Sequence, residues 1–200
     1  ERLDAAIDYR ETIASGVEAL RLVSSDADGL PGLIVDRYGE HLVLQMLTAG
    51  IERLQGPILE RLVARLAPAS ILARNDAGVR KLEGLEIEVR ALHGDPPGTV
   101  EVAEGGVVFL VDLRGGQKTG LFLDQRENRS AAAGYLRGRV LDAFCYDGGF
   151  ALHAARVNAH EFGRSCETVV HEGVRVPVGV PGHEVGRLAA ERHVPAIGAD

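Results

Sequence analysis

The segment VLDAFCYDGGFALHAAR, residues 140 to 156, constrains the fold more than any other stretch. An apolar run meets two adjacent glycines, and the glycines open a run with helical spacing. Val140, Leu141, Ala143 and Phe144 fit a buried parallel strand, which is a near-continuous apolar run, with Asp142 as the exception. Gly148 and Gly149 let the backbone turn sharply and let a ligand come close to it. The helix that follows offers its N-terminus to a negative group. These features describe the first strand, loop and helix of a doubly wound α/β nucleotide site. The plainer reading is a Gly-Gly helix entry that holds no ligand. A dinucleotide site would carry Gly-x-Gly-x-x-Gly and a phosphate loop Gly-Lys-Ser/Thr at the helix start, and neither is present at this turn. The run GGQKTG at 115 to 120 has the wrong spacing for a phosphate loop.

Composition narrows the setting. The 200 residues suffice for one good domain or two small ones. With 46% apolar and 26% charged residues a core can form, and wholesale disorder is not expected. No apolar run reaches the length of a membrane span, and no signal peptide is expected. The first residue is Glu1 rather than Met, as expected of a fragment or a processed piece. The net charge of −7 gives no bulk attraction to nucleic acid, so any RNA contact must come from a local basic patch. Cys145 and Cys166 make no disulfide framework, and a reducing cytoplasm is the expected location. Lys81 and Lys118 are the two lysines among 22 basic residues, so a lysine in the Gly-rich loop at 118 stands out.

Along the chain, residues 1 to 16 are expected to form a helix with Leu3, Ile7, Tyr9 and Ile13 near one stripe. Leu20, Leu22 and Val23 suggest a short strand, and SSDADGLPG is dense in turn formers. GLIVDRY and HLVLQML flank Tyr38-Gly39-Glu40 as a hairpin. Residues 51 to 66 suggest a helix that must kink or restart at Gly56-Pro57. Strands are expected at about 70 to 74 and 85 to 91, and HGDPPG at 93 to 98 suggests a loop and a domain boundary. Two strands around Glu104-Gly105-Gly106 follow, then a Gly-rich loop leading into a helix.

Three motifs in order, DGLPGLIVDRYGEHLVLQ (28–45), GQKTGLFLDQRENR (116–129) and VLDAFCYDGGFALHAA (140–155), resemble the S-adenosylmethionine-dependent methyltransferases of the RlmI type. GQKTG followed by FLDQR is the most specific of them. The resemblance covers residues 1 to about 156. It implies methylation of the five-position of a cytosine in large-subunit ribosomal RNA. It also implies an α/β chain: an N-terminal helix and linker at 1–17, a central α+β domain at 18–98, and, from 99, the first part of a class I, Rossmann-like methyltransferase domain. That partial domain would run to residue 200, with an atypical tail from about 157.

The resemblance assigns the methionine and ribose portions of S-adenosylmethionine to Phe144, Cys145, Tyr146, Gly148 and Gly149. The family usually has Thr where this chain has Asp147, a carboxylate that tolerates the ammonium or sulfonium of the cofactor but repels its carboxylate. Lys118, Thr119, Asp124, Gln125 and Arg126 belong to the preceding motif. Asp124 suits the ammonium group, Arg126 suits the carboxylate through a forked bond, and Lys118 suits the same carboxylate or an RNA phosphate. The plainer reading pairs Asp124 and Arg126 with neighbours in a solvated turn. Cys145 reads as a packing residue. The family's attacking thiolate lies later, beside an Asp-Pro-Pro loop that does not follow the turn here, so no catalytic residue is named. Arg74, Arg80 and Lys81 are candidates for a small RNA patch, but ordinary solvated charges explain them better.

Past Ala155 three readings compete. The tail is a divergent continuation, in which ETVVHE is the second strand and Glu172 holds the ribose hydroxyls about 20 residues past the glycines. Or it is a foreign end, as its Val-Pro-Val-Gly-Val-Pro-Gly stretch suggests, and this reading is favoured. Or His171, His183 and His193 with their neighbouring acids bind a metal, which is the weakest because the spacing matches no standard site. A class I fold needs more strands than follow residue 138, so an open sheet edge is expected, which a homodimer could cover.

The expectation is therefore a truncated RNA methyltransferase acting on ribosomal RNA, without metal or membrane, inactive as these 200 residues stand. The family reaction would join a cysteine thiolate to the ring, methylate the activated carbon and remove its proton. A non-catalytic RNA- or protein-binding module is the alternative, marked by salt-dependent RNA binding without cofactor binding. A nicotinamide oxidoreductase is a weaker third.

Overall fold

The computed structural model describes residues 1–137, 140–162, 167–170 and 175–177. Its contacts group into two compact units, one of residues 1–104 with 111–126, the other of residues 105–110 with the chain from 127.

In the first unit, helix α1 (Arg2–Ile13) buries Leu3, Ala6 and Ile7, spaced to share one face. Tyr9 and Ile13 do not join that stripe and are 56% and 59% exposed. They lie two and six residues from Ile7, which at 3.6 residues per turn places them on the far side of the helix.

Five strands then form one sheet in the order β1 (Ala19–Ser24), β2 (Leu33–Tyr38), β3 (His41–Met46), β4 (Ser70–Asn75) and β5 (Glu88–Gly94). The hairpin at Gly39 pairs Tyr38 with His41, and β1 also runs antiparallel to β2. β3 and β4 are parallel, with Leu44 opposite Ala73. That pairing needs a crossover, supplied by α2 (Ala49–Arg53) and α3 (Gln55–Leu66). Thr48 starts the crossover by accepting the Ile51 N–H on its hydroxyl. The helix restarts at Gln55, so Pro57 falls in a first turn, where its missing N–H is tolerated.

Strand alternation divides the sheet into two faces. Leu33, Val35, Leu42, Leu44, Met46, Ile71 and Ala73 face the helices and join Leu3, Ile7, Ile58 and Leu62 in one core. The other face carries Asp36, Tyr38, Val43, Leu72 and Arg74, all buried. The segment 111–121 lies on it, with Val111, Leu113, Thr119 and Leu121 buried. Arg80 is buried as well, donating to the Met46 carbonyl, the Glu86 carbonyl and the Glu52 carboxylate. Arg74 and Arg80 are therefore internal fasteners and form no RNA patch.

Strands β6 (Thr99–Glu104) and β7 (Val107–Asp112) make a two-stranded sheet around Gly105-Gly106, as expected, and the division between the units falls within it.

The second unit holds most of α4 (Arg126–Ala133), then β8 (Val140–Asp142), α5 (Gly149–Phe162), β9 (Glu167–Val170) and β10 (Arg175–Pro177). β8 and β9 run parallel, with Val140 opposite Thr168, so β8, α5 and β9 form a βαβ unit. β10 is antiparallel to β9. The strand expected at ETVVHE thus exists over Glu167–Val170, and the chain continues the α/β pattern past residue 156. His153 stacks on Phe109 at 6.2 Å, and the Arg129 guanidinium lies 5.5 Å from the same ring.

β8 departs from the buried strand expected. Leu141 is 67% exposed and Phe144 92% exposed. The strand is three residues long and, among the described residues, lies at the edge of its sheet. An apolar run marks a strand able to be covered on both faces, and cannot show that both are covered.

Candidate cofactor site

The GQKTGLFLDQ motif is built onto the first unit by buried polar bonds. Arg74 sends one N–H to the Leu113 carbonyl and another to the Gly116 carbonyl, both at 2.9 Å. Thr119 donates to Asp36 at 2.5 Å, and Asp36 also takes the two-pronged bond of Arg21, its direct partner across β1 and β2. Tyr38 Oη lies 3.0 Å from Thr119 Oγ1 and accepts the Leu121 N–H at 3.1 Å. Burial away from water and the Asp36 charge next to it push the Tyr38 phenol well above its ordinary value, so it stays protonated. Gly120, at φ +138°, lies where a Cβ would stand 2.5 Å from Val111 Cγ1.

Lys118 and Asp124 project from this framework. Lys118 holds a left-handed backbone, φ 52°, uncommon for a residue with a Cβ. Its ammonium lies 3.1 Å from Asp124 Oδ1 and 4.2 Å from the centre of the Phe122 ring. Burial works to raise the Asp124 carboxyl, but the bonds from Lys118, its own backbone and Gln125 prevail and hold it below the usual carboxylate range. Both side chains are largely exposed, and such a pair contributes at most about 1 kcal/mol. A ligand carrying one ammonium and one carboxylate could replace each partner with little loss. Gln125 donates to Asp124 at 3.4 Å, and Arg126 begins α4.

The glycine turn, in the second unit, has an unusual backbone. Phe144, Tyr146 and Gly148 adopt φ of 58°, 53° and 71°, so alternate residues are left-handed, two of them aromatic. For the two aromatic residues such conformations cost roughly 1–3 kcal/mol each and concentrate at ligand sites, whereas glycine adopts them readily. The Gly148 N–H closes the turn on the Cys145 carbonyl at 2.8 Å. A Cβ built on Gly148 would meet nothing within 4 Å.

The start of α5 is not open to a negative group. Asp147 Oδ1 accepts the Gly149 N–H at 3.0 Å, and Asp142 Oδ2 accepts the Ala151 N–H at 3.0 Å. Two carboxylates occupy first-turn donors that a phosphate would need. The turn therefore suits a neutral or cationic ligand portion, such as a ribose or a sulfonium, and not a pyrophosphate. Asp142, the polar exception in β8, is thereby explained as a helix cap. Burial raises its carboxyl above the ordinary 3.8 against the lowering bond from Ala151. A carboxyl raised in the folded state contributes stability that is present below pH 3.8 and is lost as pH rises through the raised value. Asp142→Asn keeps an acceptor for Ala151 and removes that loss. Its urea midpoint relative to wild type is expected to be higher at pH 7 than at pH 3.5, and equal offsets at both would contradict this.

Of the residues expected to contact cofactor, Lys118, Asp124, Gln125 and Arg126 fall together on the first unit, and Phe144, Cys145, Tyr146, Gly148 and Gly149 on the second. Glu172 lies outside the described residues, as do His171, His183, His193 and Cys166. Among the described residues no group of His, Cys, Asp and Glu is placed to hold a metal, and no helix is long and apolar enough to cross a membrane. Arg21, Asp36, Tyr38 and Arg74, which hold the GQKTGLFLDQ motif in place, were not foreseen in that role. Their signal was the alternation of Asp36 and Tyr38 in VDRY, which puts a charge and a phenol on one strand face.

The family model for S-adenosylmethionine-dependent methyltransferases matches residues 33–193, and the chain belongs to that family. The match runs past residue 156, where the motif resemblance ends. Among relatives, the Ribosomal RNA large subunit methyltransferase I of Photobacterium profundum is 40% identical over 195 residues, 96% of this chain and 46% of the relative. The protein of the same name from Aeromonas hydrophila is 46% identical over 149 residues, 73% of this chain and 38% of the relative. The chain thus spans less than half the length of these relatives. A solved sam-dependent methyltransferase from Streptococcus mutans superposes with TM-score 0.67 at 22% identity, over 84% of this chain and 43% of its own. A methyltransferase structure in complex with SAH gives 0.66 at 22% identity, over 84% and 42%. The fold is the α/β fold of these methyltransferases.

Proposed function

We propose that the chain is part of an S-adenosylmethionine-dependent methyltransferase that modifies large-subunit ribosomal RNA at a cytosine five-position, in the cytoplasm. The observation that carries the cofactor half is the left-handed turn between β8 and α5, whose helix donors are capped by Asp142 and Asp147. That capping favours a sulfonium cofactor over a dinucleotide. The RNA half rests on the names of relatives 40–46% identical and on the three-motif resemblance.

In this proposal Phe144, Cys145, Tyr146, Gly148 and Gly149 face the methionine and ribose portions. Asp124 takes the ammonium, and Lys118 and Arg126 take the carboxylate. When bound, the cofactor supplies an electrophilic methyl group. Glu172 is assigned to the ribose hydroxyls by its spacing from the glycines. The resemblance divides the chain into a central domain at 18–98 and a cofactor domain from 99, while the contacts group 99–104 and 111–126 with the first unit.

These 200 residues carry no Asp-Pro-Pro after the glycine turn. Saturable binding of S-adenosylmethionine by calorimetry is therefore expected, without methyl transfer to ribosomal RNA by these residues alone. No saturable binding by a folded chain would remove the cofactor assignment. Turnover by these residues alone would show that the reaction does not need that loop.

A further inference from the structure

We infer that Asp36, Tyr38 and Thr119 are positioning residues that fix the Lys118–Asp124 segment in its ligand-binding conformation. The inference rests on the cofactor reading above.

The three form a hydrogen-bond chain with one self-consistent direction. The Asp36 carboxylate can only accept, and it takes the Thr119 hydroxyl proton and two Arg21 N–H groups. With its proton spent, Thr119 Oγ1 can only accept from Tyr38 Oη. With its proton spent in turn, Tyr38 Oη accepts from the Leu121 N–H. The order is Leu121 to Tyr38 to Thr119 to Asp36, and Arg21 anchors the end. Asp36, Tyr38 and Thr119 are fully buried.

Apolar residues of similar size would cover this sheet face as well as the network does, since buried charge pairs are seldom a net gain in stability. What a directional chain adds is register. It ties residues 119 and 121, on either side of Gly120, to fixed points on β2. Lys118 adjoins the first of these points and is held at φ 52° within the turn closed by the Gly120 N–H on the Gln117 carbonyl, 2.9 Å. A left-handed lysine persists only where its neighbours over-determine it. Releasing Thr119 frees Lys118 to leave that conformation, and Lys118 is the partner that orients Asp124 at 3.1 Å. The strand pair β1 and β2 would thus set the geometry of groups it does not itself contain.

The test uses the 200-residue chain with Tyr38→Phe, Thr119→Val and Thr119→Ser, each close in volume to the residue replaced. Two readouts are taken at a temperature where all are folded: amide exchange by mass spectrometry, and S-adenosylmethionine affinity by calorimetry. Tyr38→Phe and Thr119→Val are expected to speed exchange over 116–124 about tenfold, leaving β3 and β4 unchanged, and to weaken the cofactor about tenfold, a loss of one net hydrogen bond's worth of order. Thr119→Ser keeps the hydroxyl and is expected to restore both. Exchange that rises uniformly through the unit, or Thr119→Ser behaving like Thr119→Val, would mean a merely structural network and would overturn the inference. So would unchanged affinity in Tyr38→Phe. An unsubstituted chain that binds no cofactor overturns the cofactor reading itself. The clamp would then still be judged by the exchange data, and an unchanged rate over 116–124 in Tyr38→Phe would sink it independently.

Discussion

Arg74→Ala is expected to cost about 3–5 kcal/mol of folding stability, the range for breaking a buried charged network by removing one partner. The side chain is 4% exposed. Its removal strips a donor from each of the Leu113 and Gly116 carbonyls and leaves the half-buried Asp76 without its cation. It also leaves a cavity where the side chain stood. Arg74→Lys should fall between, because an ammonium cannot reproduce the fork that reaches two carbonyls and a carboxylate together. Urea unfolding decides the matter, with Lys81→Ala as a control at an exposed position, expected within about 0.5 kcal/mol of wild type. If Arg74→Ala were as mild as Lys81→Ala, the buried fastener would be wrong. A surface cation serving RNA would instead show itself as a change of about one in the salt slope of binding, with stability intact.

Arg74 also shows where sequence reading stops. ARNDAGVRK puts three cations within eight residues of a turn-rich stretch, and ordinary statistics place such residues in water. Only the fold brings 113–116 over β4 and turns Arg74 inward. Strand alternation, by contrast, is local. The hairpin at Gly39, the paired strands around Gly105-Gly106 and the helix restart near Pro57 were legible because turn chemistry and period decide them within a few residues. α1 was legible as a helix, but its stripe was drawn too wide, because Tyr9 and Ile13 are apolar without lying on the Leu3 and Ile7 face. The tail was harder. Its Pro-Gly stretch pointed to a foreign end, yet Glu167–Val170 pairs in parallel with β8 and the family match continues to residue 193. Parallel pairing is a long-range property and leaves no local mark beyond three consecutive β-branched residues, Thr168 to Val170.

The two motifs of the candidate site were legible in part. The glycine turn was read from residue types, and the GQKTG motif from the family resemblance. The capping of α5 was not, because Asp142 reads as a blemish in an apolar strand and Asp147 as a departure from the family. Both become intelligible once the helix start is seen to need acceptors. The same capping turns the first expectation around: the helix N-terminus was expected to hold a negative group, and the chain itself supplies two.

Gly148→Val is expected to weaken S-adenosylmethionine binding by about tenfold while the chain stays folded. A Cβ added at Gly148 meets nothing within 4 Å, so a clash at the Cβ is not the obstacle. The penalty lies in the backbone. At φ 71° a β-branched residue is a true outlier, and forcing an L-residue into that region costs roughly 1–2 kcal/mol or more. The turn already holds Phe144 and Tyr146 left-handed, so a third strained residue makes a shift of the whole turn the cheaper outcome. Gly149 is a poorer probe, because a Cβ there would stand 2.5 Å from Arg129 Cδ and disturb packing directly. Gly148→Asn separates the two causes that remain. Asparagine tolerates the left-handed region but fills the same open space. Binding kept in Gly148→Asn and lost in Gly148→Val would make backbone shape the requirement. Loss in both would mean that the open space is where the ligand lies. Unchanged affinity in Gly148→Val, measured by calorimetry on the folded variant, would take the turn out of the cofactor site altogether.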